Sequence, residues 1–321
     1  MLGMTKEAAE RADADARFPK ELDRVATDME ALLDRLLGAD ALPGERTRPA
    51  RVLEAMRYAS LAGGKRIRPY LAVASAEMFG GPRERALMVG AAVEVVHCYS
   101  LVHDDLPSMD NDELRRGRPT THKQYDEATA ILAGDALLTY AFDILGRTDT
   151  HPDPAVRIDL VLALARASGL GGMVGGQMLD LAAEGRFAEG VPQPLDRAAT
   201  ETMESMKTGA LLKFSCVGGA IVAEADQAAR AALARYGTAI GKAFQVADDL
   251  LDALGDPETV GKATGKDAAA HKATLVRIMG VEGARKALAD LVAEAEAAVA
   301  PFGPRADMLR AAARFIADRT H

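Results

Sequence analysis

Two clusters of aspartates, each at the end of or within an apolar helical stretch, point most directly to chemistry in this sequence. The first, in LVHDDLPSMDNDELRRGRPTTH, contains Asp104, Asp105 and Asp110, and the second, in FQVADDLLDALGD, contains Asp248, Asp249 and Asp252. Carboxylates crowded beside a buried stretch repel one another unless a cation compensates their charge. The clusters therefore predict a Mg²⁺ site, because Mg²⁺ binds one or two carboxylates and completes its shell with water and phosphate oxygens. The alternative for either cluster alone is a solvated acidic helix surface.

Local groups of basic residues stand out in this acidic chain, whose net charge is −8. They occur in GGKRIRP, LRRGRP, KTG and VGKATGKD, and comprise Lys65, Arg66, Arg68, Arg115, Arg116, Arg118, Lys207, Lys262 and Lys266. Arginine forks and mobile lysines both bind phosphate, and adjacent glycines allow close backbone approach. Any single member of the set is as readily an ordinary surface charge, so the prediction of phosphate binding rests on the group.

Other groups of potentially reactive residues give weaker evidence of function. His97 lies seven residues before Asp104, on roughly the same helix face, and is a candidate site residue, whereas His103 is more typical of a packed histidine. No convincing Ser-His-Asp triad or zinc-type spacing is present. The glycine-rich SGLGGMVGGQMLDL follows no strand signal, which argues against a dinucleotide fingerprint, although Gln177 and Asp180 within it are placed to face a cavity.

The composition favours an all-α fold. Hydrophobic residues make up 49% of the 321, aromatic residues only 4%, and tryptophan is absent. Apolar residues at three-to-four spacing, interrupted by Gly and Pro clusters, predict a single-domain bundle of ten or more helices over residues 18–321, preceded by a flexible arm over residues 1–17. The two cysteines are predicted to be buried thiols.

The net charge and the hydrophobic pattern also limit which partners and which cellular location are expected. A net negative charge argues against nucleic acid as a main partner. The polar N-terminus has no apolar signal core, and no run of about 18 apolar residues is free of charge, so we expect no membrane-spanning segment. A cytoplasmic location is the resulting expectation.

Metal-binding carboxylates and phosphate-binding cations around an apolar interior predict a substrate that joins a diphosphate to a hydrocarbon. On the motifs GGKRIRP, HDDLPSMDNDELRRGRPTTH, GGQMLDL, KTGALL and FQVADDLLD…GK…GKD, in this order and spacing, the sequence resembles the trans-isoprenyl diphosphate synthases, in the bacterial farnesyl and geranylgeranyl diphosphate synthase group. The resemblance extends from about residue 25 to residue 319.

The resemblance implies a set of roles. The fold would be the isoprenoid synthase bundle around a deep central cavity, usually a homodimer. The aspartates of both clusters would hold three Mg²⁺ ions that bridge the allylic diphosphate. That diphosphate would be bound by Arg115, Lys207 and Lys262, and isopentenyl diphosphate by Lys65, Arg68, His97 and Arg116. Thr208 and Gln245 would lie beside the reacting carbons.

Product length is predicted from the residues just before the first cluster. Tyr99 and Ser100 lie five and four residues before Asp104, about one helical turn down the cavity. A bulky Tyr99 there would stop elongation early, and with the two-residue insertion in DDLPSMD it resembles farnesyl (C15) synthases. The alternatives are a geranylgeranyl (C20) product and a Tyr99 that only packs between helices.

Two rival functions fit part of the pattern. A terpene cyclase shares the expected fold and the first cluster but usually carries an Asn/Ser/Glu second motif, where this chain has DDLLD, and needs no second diphosphate site. A non-catalytic subunit of a partner synthase would be expected to have lost metal aspartates, whereas all six are present here.

Overall fold

A computed structural model describes residues 6–188, 191–192, 195–254 and 275–318. The described elements, in chain order, are α1 Lys6–Leu36, α2 Ala50–Ser60, α3 Ile67–Glu77, α4 Arg83–Asp104, β1 Leu114–Arg115, β2 Arg118–Pro119, α5 Thr121–Gln124, α6 Glu127–Gly146, α7 Pro154–Ser168, α8 Met173–Ala183, α9 Arg197–Glu204, a π-helical turn Ser205–Gly209, α10 Ala210–Val222, α11 Gln227–Leu254, α12 Leu275–Val299, a 3₁₀ segment Ala300–Ala306 and α13 Asp307–Asp318. The prediction of an all-α fold with ten or more helices is confirmed.

The helix α4 lies in the middle of the bundle. It packs against α3, α6 and α10, and α10 in turn packs on α11 and α7. Most of its side chains are buried, because its sequence is apolar on nearly every face. The helix therefore carries the first aspartate cluster, at its C-terminal end, from the core to the rim of the bundle.

Residues 6–17 correct one expectation. The polar, acidic sequence there predicted a flexible arm, but these residues form the first turns of α1. Ala14 is fully buried, and Asp15 accepts hydrogen bonds from Arg314 of α13, with the Nη2–Oδ1 distance at 2.7 Å. The helix is stabilised by tertiary contacts with the last described helix, which lie almost 300 residues away in sequence. Residues 1–5 lie outside the described residues.

The cysteines are as expected, since Cys98 and Cys216 are both free and buried. Burial raises the pKa of each thiol to about 12, so both stay protonated near neutral pH. They lie on α4 and α10 and contribute to packing rather than to chemistry.

The helices α6, α7 and α8 leave apolar side chains uncovered. By length and composition alone, the stretches Arg83–Asp104, Glu127–Gly146 and Pro154–Ala183 would each suffice to cross a membrane. The first is mostly buried in the core, whereas the third is only 28% buried. Some exposed apolar side chains of these helices do not line the cavity described below, and we call these residues the apolar face: Leu132 of α6, Ile158 and Leu162 of α7, Leu170 of the α7–α8 joint and Leu179 of α8.

Candidate active site

The first aspartate cluster lies at the end of α4, where the helix stops at Asp104 and Asp105. Backbone hydrogen bonds fold the following turn back onto the helix end, including one from the Asp110 amide to the Asp104 carbonyl at 2.9 Å. Asp110 is exposed and Asp104 is half-buried. Burial raises the pKa of Asp104 to about 6. The positive charge of Lys207 opposes this shift, whereas the negative charges of Asp110 and Asp105 add to it. This helix end thus concentrates negative charge that the protein only partly neutralises.

Asp105 is held by an arginine in this structure. Arg115 donates to it from Nε, at 2.8 Å and 3.0 Å to the two carboxylate oxygens, and from Nη2 at 2.6 Å. Asp105 is only 3% exposed, and burial raises its pKa while the Arg115 hydrogen bonds oppose that shift. A predicted metal ligand and a predicted diphosphate ligand are therefore paired with each other here.

A tight hairpin brings the two arginines of RRG to the site. The strands β1 and β2 pair antiparallel with Arg115 opposite Arg118. The two residues between them, Arg116 and Gly117, have φ of 52° and 74°, the positive values of a type I′ turn. Arg116 then donates from Nη1 to the Gly63 carbonyl. The turn therefore places Arg116 against the GGKRIRP loop.

Gly64 explains how the hairpin and the GGKRIRP loop come so close. Its φ is +135°, and a Cβ at this position would lie 2.6 Å from Arg116 Nη1. The positive φ favours glycine, and a side chain here would also push the Arg116 guanidinium away. Lys65, next in the chain, is exposed, with its Nζ 5.9 Å from the centre of the Phe315 ring.

His97 lies among the cations of this group. Burial lowers the pKa of His97 well below its ordinary value, and the positive charges of Arg68, Arg116 and Arg115 lower it further. The imidazole is therefore neutral near pH 7, able to donate a hydrogen bond without adding charge. Arg68 and His97 both line the central cavity described below.

Arg66 has a structural role, unlike its neighbours. It is 3% exposed and donates from Nη1 to Glu94 at 2.5 Å, from Nε to Glu30 at 3.1 Å and from Nη2 to the Ser60 carbonyl at 2.6 Å. Three partners saturate the guanidinium, so it is unavailable to a phosphate. Sequence reasoning grouped Arg66 with the phosphate-binding cations because a motif does not reveal which side of the loop each residue faces.

Lys207 and Thr208 lie in the π-helical turn Ser205–Gly209. Single π-helical turns within α-helices are rare and are frequent at functional sites. Lys207 Nζ donates to Asp180 Oδ2 of α8 at 2.5 Å. The approach of α8 requires glycine, since a Cβ at Gly176 would lie 2.2 Å from the Lys207 amide nitrogen. The GGQMLDL and KTG motifs are thus one structural unit.

The second aspartate cluster lies near the end of α11. Asp248 is exposed, Asp252 is half-buried, and Asp249 is only 4% exposed. Gln245 Nε2 donates to Asp249 Oδ1 at 3.1 Å. The one-turn spacing of Asp248 and Asp252 places both on the same helix face, as predicted. Lys262, predicted to bind the diphosphate, lies outside the described residues.

Among the described residues, no group of three or more His, Cys, Asp or Glu side chains converges closely enough to hold a metal ion. The charge distribution nevertheless fits divalent cations. Asp104 is desolvated and repelled by its own neighbours, and the buried Glu204 is repelled by Asp249, Glu201 and Asp180. Each cluster thus contains an aspartate that lies close to other carboxylates, and a bound cation would lower the repulsion among them.

Glu204 is a site residue that the sequence analysis missed. It is 9% exposed on α9, and burial raises its pKa to about 9, with the charges of Asp249, Glu201 and Asp180 adding to the shift. The one signal for it in the sequence was its position three residues before Lys207. Side chains three residues apart lie on the same face of a helix. At neutral pH the protonated Glu204 can donate a hydrogen bond among the surrounding carboxylates.

We expect Glu204→Gln to stabilise the metal-free protein at alkaline pH. The folded-state pKa of Glu204 lies above its unfolded value, so its stability contribution is full below about pH 4.5 and is lost as pH rises toward 9. At pH 8.5 the variant should gain about 1 to 3 kcal/mol in unfolding free energy, and little at pH 5. Chemical denaturation in a chelator at several pH values measures this.

Glu201→Gln is the matched control. The pKa of Glu201 is lowered by its hydrogen bond from Arg197, although burial opposes that shift, so its replacement should destabilise the protein instead. If the unfolding free energies of the two variants changed with pH in the same way, the buried, protonated state of Glu204 would be contradicted.

A cavity of about 530 Å³ runs from the Asp104 end of α4 into the bundle. Its polar rim contains Arg68, His97, Asp104, Lys207, Thr208 and Gln177. Both amide atoms of Gln177 are buried without a hydrogen-bond partner, which suits a polar ligand at the rim. The remaining lining residues are mainly apolar, among them Leu101, Met173, Leu181 and Leu211.

The predicted chain-length residues contribute to the lining of this cavity. Tyr99 and Ser100 both line it, and Tyr99 is 9% exposed. The Ser100 hydroxyl donates to the His97 carbonyl at 2.9 Å, so it is engaged by its own helix. The lining thus combines charged groups with apolar and aromatic side chains, a composition suited to a diphosphate with a hydrocarbon tail.

The pattern of motifs matches one family model. Residues 49–301 match the model described as "Polyprenyl synthetase". The chain belongs to this family. The match spans most of the chain and includes both aspartate clusters, the hairpin and the π-helical turn. Family membership supports a divalent metal cofactor and isopentenyl and allylic diphosphate substrates.

Individual relatives indicate the activity more specifically than the family model does. The farnesyl diphosphate synthase of Escherichia coli K12 is 45% identical over 281 residues, covering 87% of this chain and 90% of that protein. A geranylgeranyl pyrophosphate synthase of Arabidopsis thaliana chloroplasts is 43% identical, covering 85% of this chain and 75% of that protein.

A solved structure supports the same assignment. The apo crystal structure of an FPP/GFPP synthase from Zymomonas mobilis shares 44% sequence identity with this chain. The two structures superpose with a TM-score of 0.81, and the aligned region covers 94% of this chain and 99% of the Zymomonas mobilis chain. The fold and the enzyme class follow from these similarities: the chain is a prenyltransferase of isoprenoid biosynthesis.

Proposed function

We propose that this chain is a farnesyl diphosphate synthase that condenses isopentenyl diphosphate with dimethylallyl and then geranyl diphosphate. The observation that carries the proposal is the cavity itself. Charged groups at its rim suit two diphosphates, and Tyr99 lies in its wall one helical turn below Asp104. We propose that the Tyr99 ring limits the growing chain to three isoprene units.

We propose that the aspartates of the two clusters hold three Mg²⁺ ions. The mutual repulsion of carboxylates at both clusters supports this, as do the carboxylate oxygens, which are the ligands that Mg²⁺ prefers. When bound, Mg²⁺ would neutralise charge on the diphosphate leaving group. Occupancy by metal and diphosphate would require Arg115 to leave Asp105 and bind phosphate instead.

The chain's own residues prepare the ionisation of the allylic substrate. Lys207, held by Asp180, and Arg115 would bind the allylic diphosphate and stabilise the charge that develops as the C–O bond breaks. Thr208 lies beside Lys207 in the cavity wall, and Gln245 is oriented by Asp249. Their dipoles are suited to stabilise the allylic carbocation.

The second diphosphate site would orient the nucleophile. Lys65, Arg68, Arg116 and the neutral His97 would hold isopentenyl diphosphate with its double bond against the cation. The C–C bond forms from the alkene electrons, and a proton then leaves to the departing diphosphate. No protein base is required, and the apolar wall excludes water that would quench the cation.

We propose that the protein is a homodimer and that the apolar face is its interface. Helix α7 contacts both α6 and α8, and each of the three helices contributes exposed apolar side chains to this face. Apolar patches of this kind mark protein or membrane contacts. Sedimentation equilibrium in detergent-free buffer tests this, since a monomeric mass would contradict it. The cytoplasmic location and the lack of a membrane span stay predictions.

Product analysis tests the proposed reaction. The purified protein, Mg²⁺, isopentenyl diphosphate and dimethylallyl diphosphate should yield mainly farnesol after dephosphorylation. Geranylgeraniol instead would keep the reaction class and assign the C20 alternative, which the Arabidopsis relative makes the runner-up. No condensation at all would contradict the enzyme assignment and favour a non-catalytic subunit.

Tyr99→Ala should lengthen the product. Removing the ring opens space equivalent to several methylene groups, and each methylene in an apolar pocket changes discrimination by about 1 to 3 kcal/mol. We expect C20 or longer products to become dominant. Tyr99→Phe is the matched control, because it keeps the ring and should keep the C15 product. Unchanged C15 from Tyr99→Ala would mean that Tyr99 only packs between helices.

A further inference from the structure

The ring of Tyr99 is in contact with a second ring on the same helix. His103 lies four residues further along α4, and the two ring centres are 5.0 Å apart at an interplanar angle of 78°. An edge-to-face pair of this kind has a preferred geometry beyond simple burial. Both residues line the cavity. The orientation of Tyr99 is therefore coupled to the position of His103.

His103 is fixed in turn by helix α6. Its Nε2 lies 3.0 Å from the Ile131 carbonyl oxygen, a hydrogen bond in the tautomer that carries the proton on Nε2. The ring lies directly on Gly134, where a Cβ would be 2.1 Å from Nε2 and 2.3 Å from Cδ2. No residue other than glycine leaves room for the imidazole in this position.

We propose that His103, seated on Gly134, is a positioning residue that sets product length by holding Tyr99 in the cavity. The proposal rests on the proposed function and deepens it, since it assigns the limit on chain length to a three-residue unit across two helices. A tyrosine side chain alone can rotate away from a growing chain, but the His103 ring blocks one direction of that rotation. The diphosphate and metal groups are not part of this unit.

The test is Gly134→Ala, which displaces His103 without altering either ring. We expect the ratio of the product one isoprene unit longer to the normal product to rise about tenfold, as expected for a partly opened apolar pocket. Consumption of isopentenyl diphosphate in the first condensation should be unchanged. Gly146→Ala is the matched control on the same helix, because nothing lies within 4 Å of a Cβ there.

His103→Ala is the second variant, needed if Gly134→Ala fails to fold. It removes the supporting ring without a steric clash and should shift the product ratio in the same direction. In a Tyr99→Ala background it should add nothing, because His103 acts through Tyr99. An additive shift, or an unchanged product ratio in both Gly134→Ala and His103→Ala, would overturn the proposal.

The proposed function and the positioning role of His103 can be refuted separately. If the wild-type protein performs no condensation, the proposed function is wrong. If the wild type makes a defined product and the Gly134→Ala and His103→Ala variants make the same one at the same ratio, only the positioning role is wrong. A purely structural role for His103 would lower stability or overall rate and leave the product ratio unmoved.

Discussion

Asp104→Asn should lower kcat for condensation by about 10³-fold, because it removes a charge that holds the metal against the leaving diphosphate, an effect worth about 4 kcal/mol. Asparagine keeps the size and the position of the side chain. The loss should appear in single-turnover experiments at saturating Mg²⁺, which isolate the chemical step. Asp104 is at the cavity rim, so the substitution changes no part of the apolar wall.

Stability measurements separate this loss from misfolding. The carboxylate of Asp104 is desolvated and has its pKa raised to about 6, so Asn should not destabilise the metal-free protein. Mg²⁺ with inorganic diphosphate should raise the melting temperature of the wild type and raise that of the variant much less. This readout does not depend on turnover.

The control is Asp159→Asn on α7, where the exposed carboxylate pairs with Arg230 at 3.2 Å. It should retain full activity and the full response to Mg²⁺ and diphosphate. Near-normal activity in Asp104→Asn would remove Asp104 from the metal site and weaken the whole assignment of the first cluster.

Arg66→Ala should destabilise the fold by about 3 to 5 kcal/mol, because it leaves Glu94 buried without its cation. Glu94 is 3% exposed and accepts from Arg66 at 2.5 Å. The same substitution also removes the hydrogen bond to the Ser60 carbonyl at 2.6 Å. Equilibrium denaturation measures the loss, and the KM for isopentenyl diphosphate should stay unchanged at temperatures where the variant is folded.

Two comparisons make the Arg66 result interpretable. Arg46→Ala, at an exposed arginine, should change stability by less than about 0.5 kcal/mol. The double variant Arg66→Met/Glu94→Gln removes both charges and should recover much of the loss. A stable Arg66→Ala with a raised KM would instead restore Arg66 to the phosphate-binding group.

The fold class was readable from the sequence because helix periodicity is local. Apolar spacing, proline and glycine breaks and the lack of strand signals sufficed to predict the bundle and most of its helices. The start of α1 was missed because residues 6–17 include no apolar residue larger than alanine, and contacts such as that of Asp15 with Arg314 come from the other end of the chain. Local pattern carries no information on such long-range contacts.

The identity of the chemical groups was also determined by sequence. Two aspartate clusters and glycine-flanked cations specify a metal and a diphosphate by their residue types alone. Which cations are available was decided only by the tertiary structure. Lys65, Arg66 and Arg68 lie within four consecutive positions, yet the αL backbone at Arg66, with φ of 47°, turns its side chain toward Glu30 and Glu94.

Tertiary structure also decided the protonation states and the contacts of Tyr99. Glu204 lies in an unremarkable stretch of sequence, and its raised pKa arises from burial beside carboxylates of α8 and α11. The support of Tyr99 by His103 depends on a glycine 31 residues after His103, on another helix. Residue types fix what chemistry is possible, whereas burial and approach between helices, which depend on distant residues, fix the charge and position of each group.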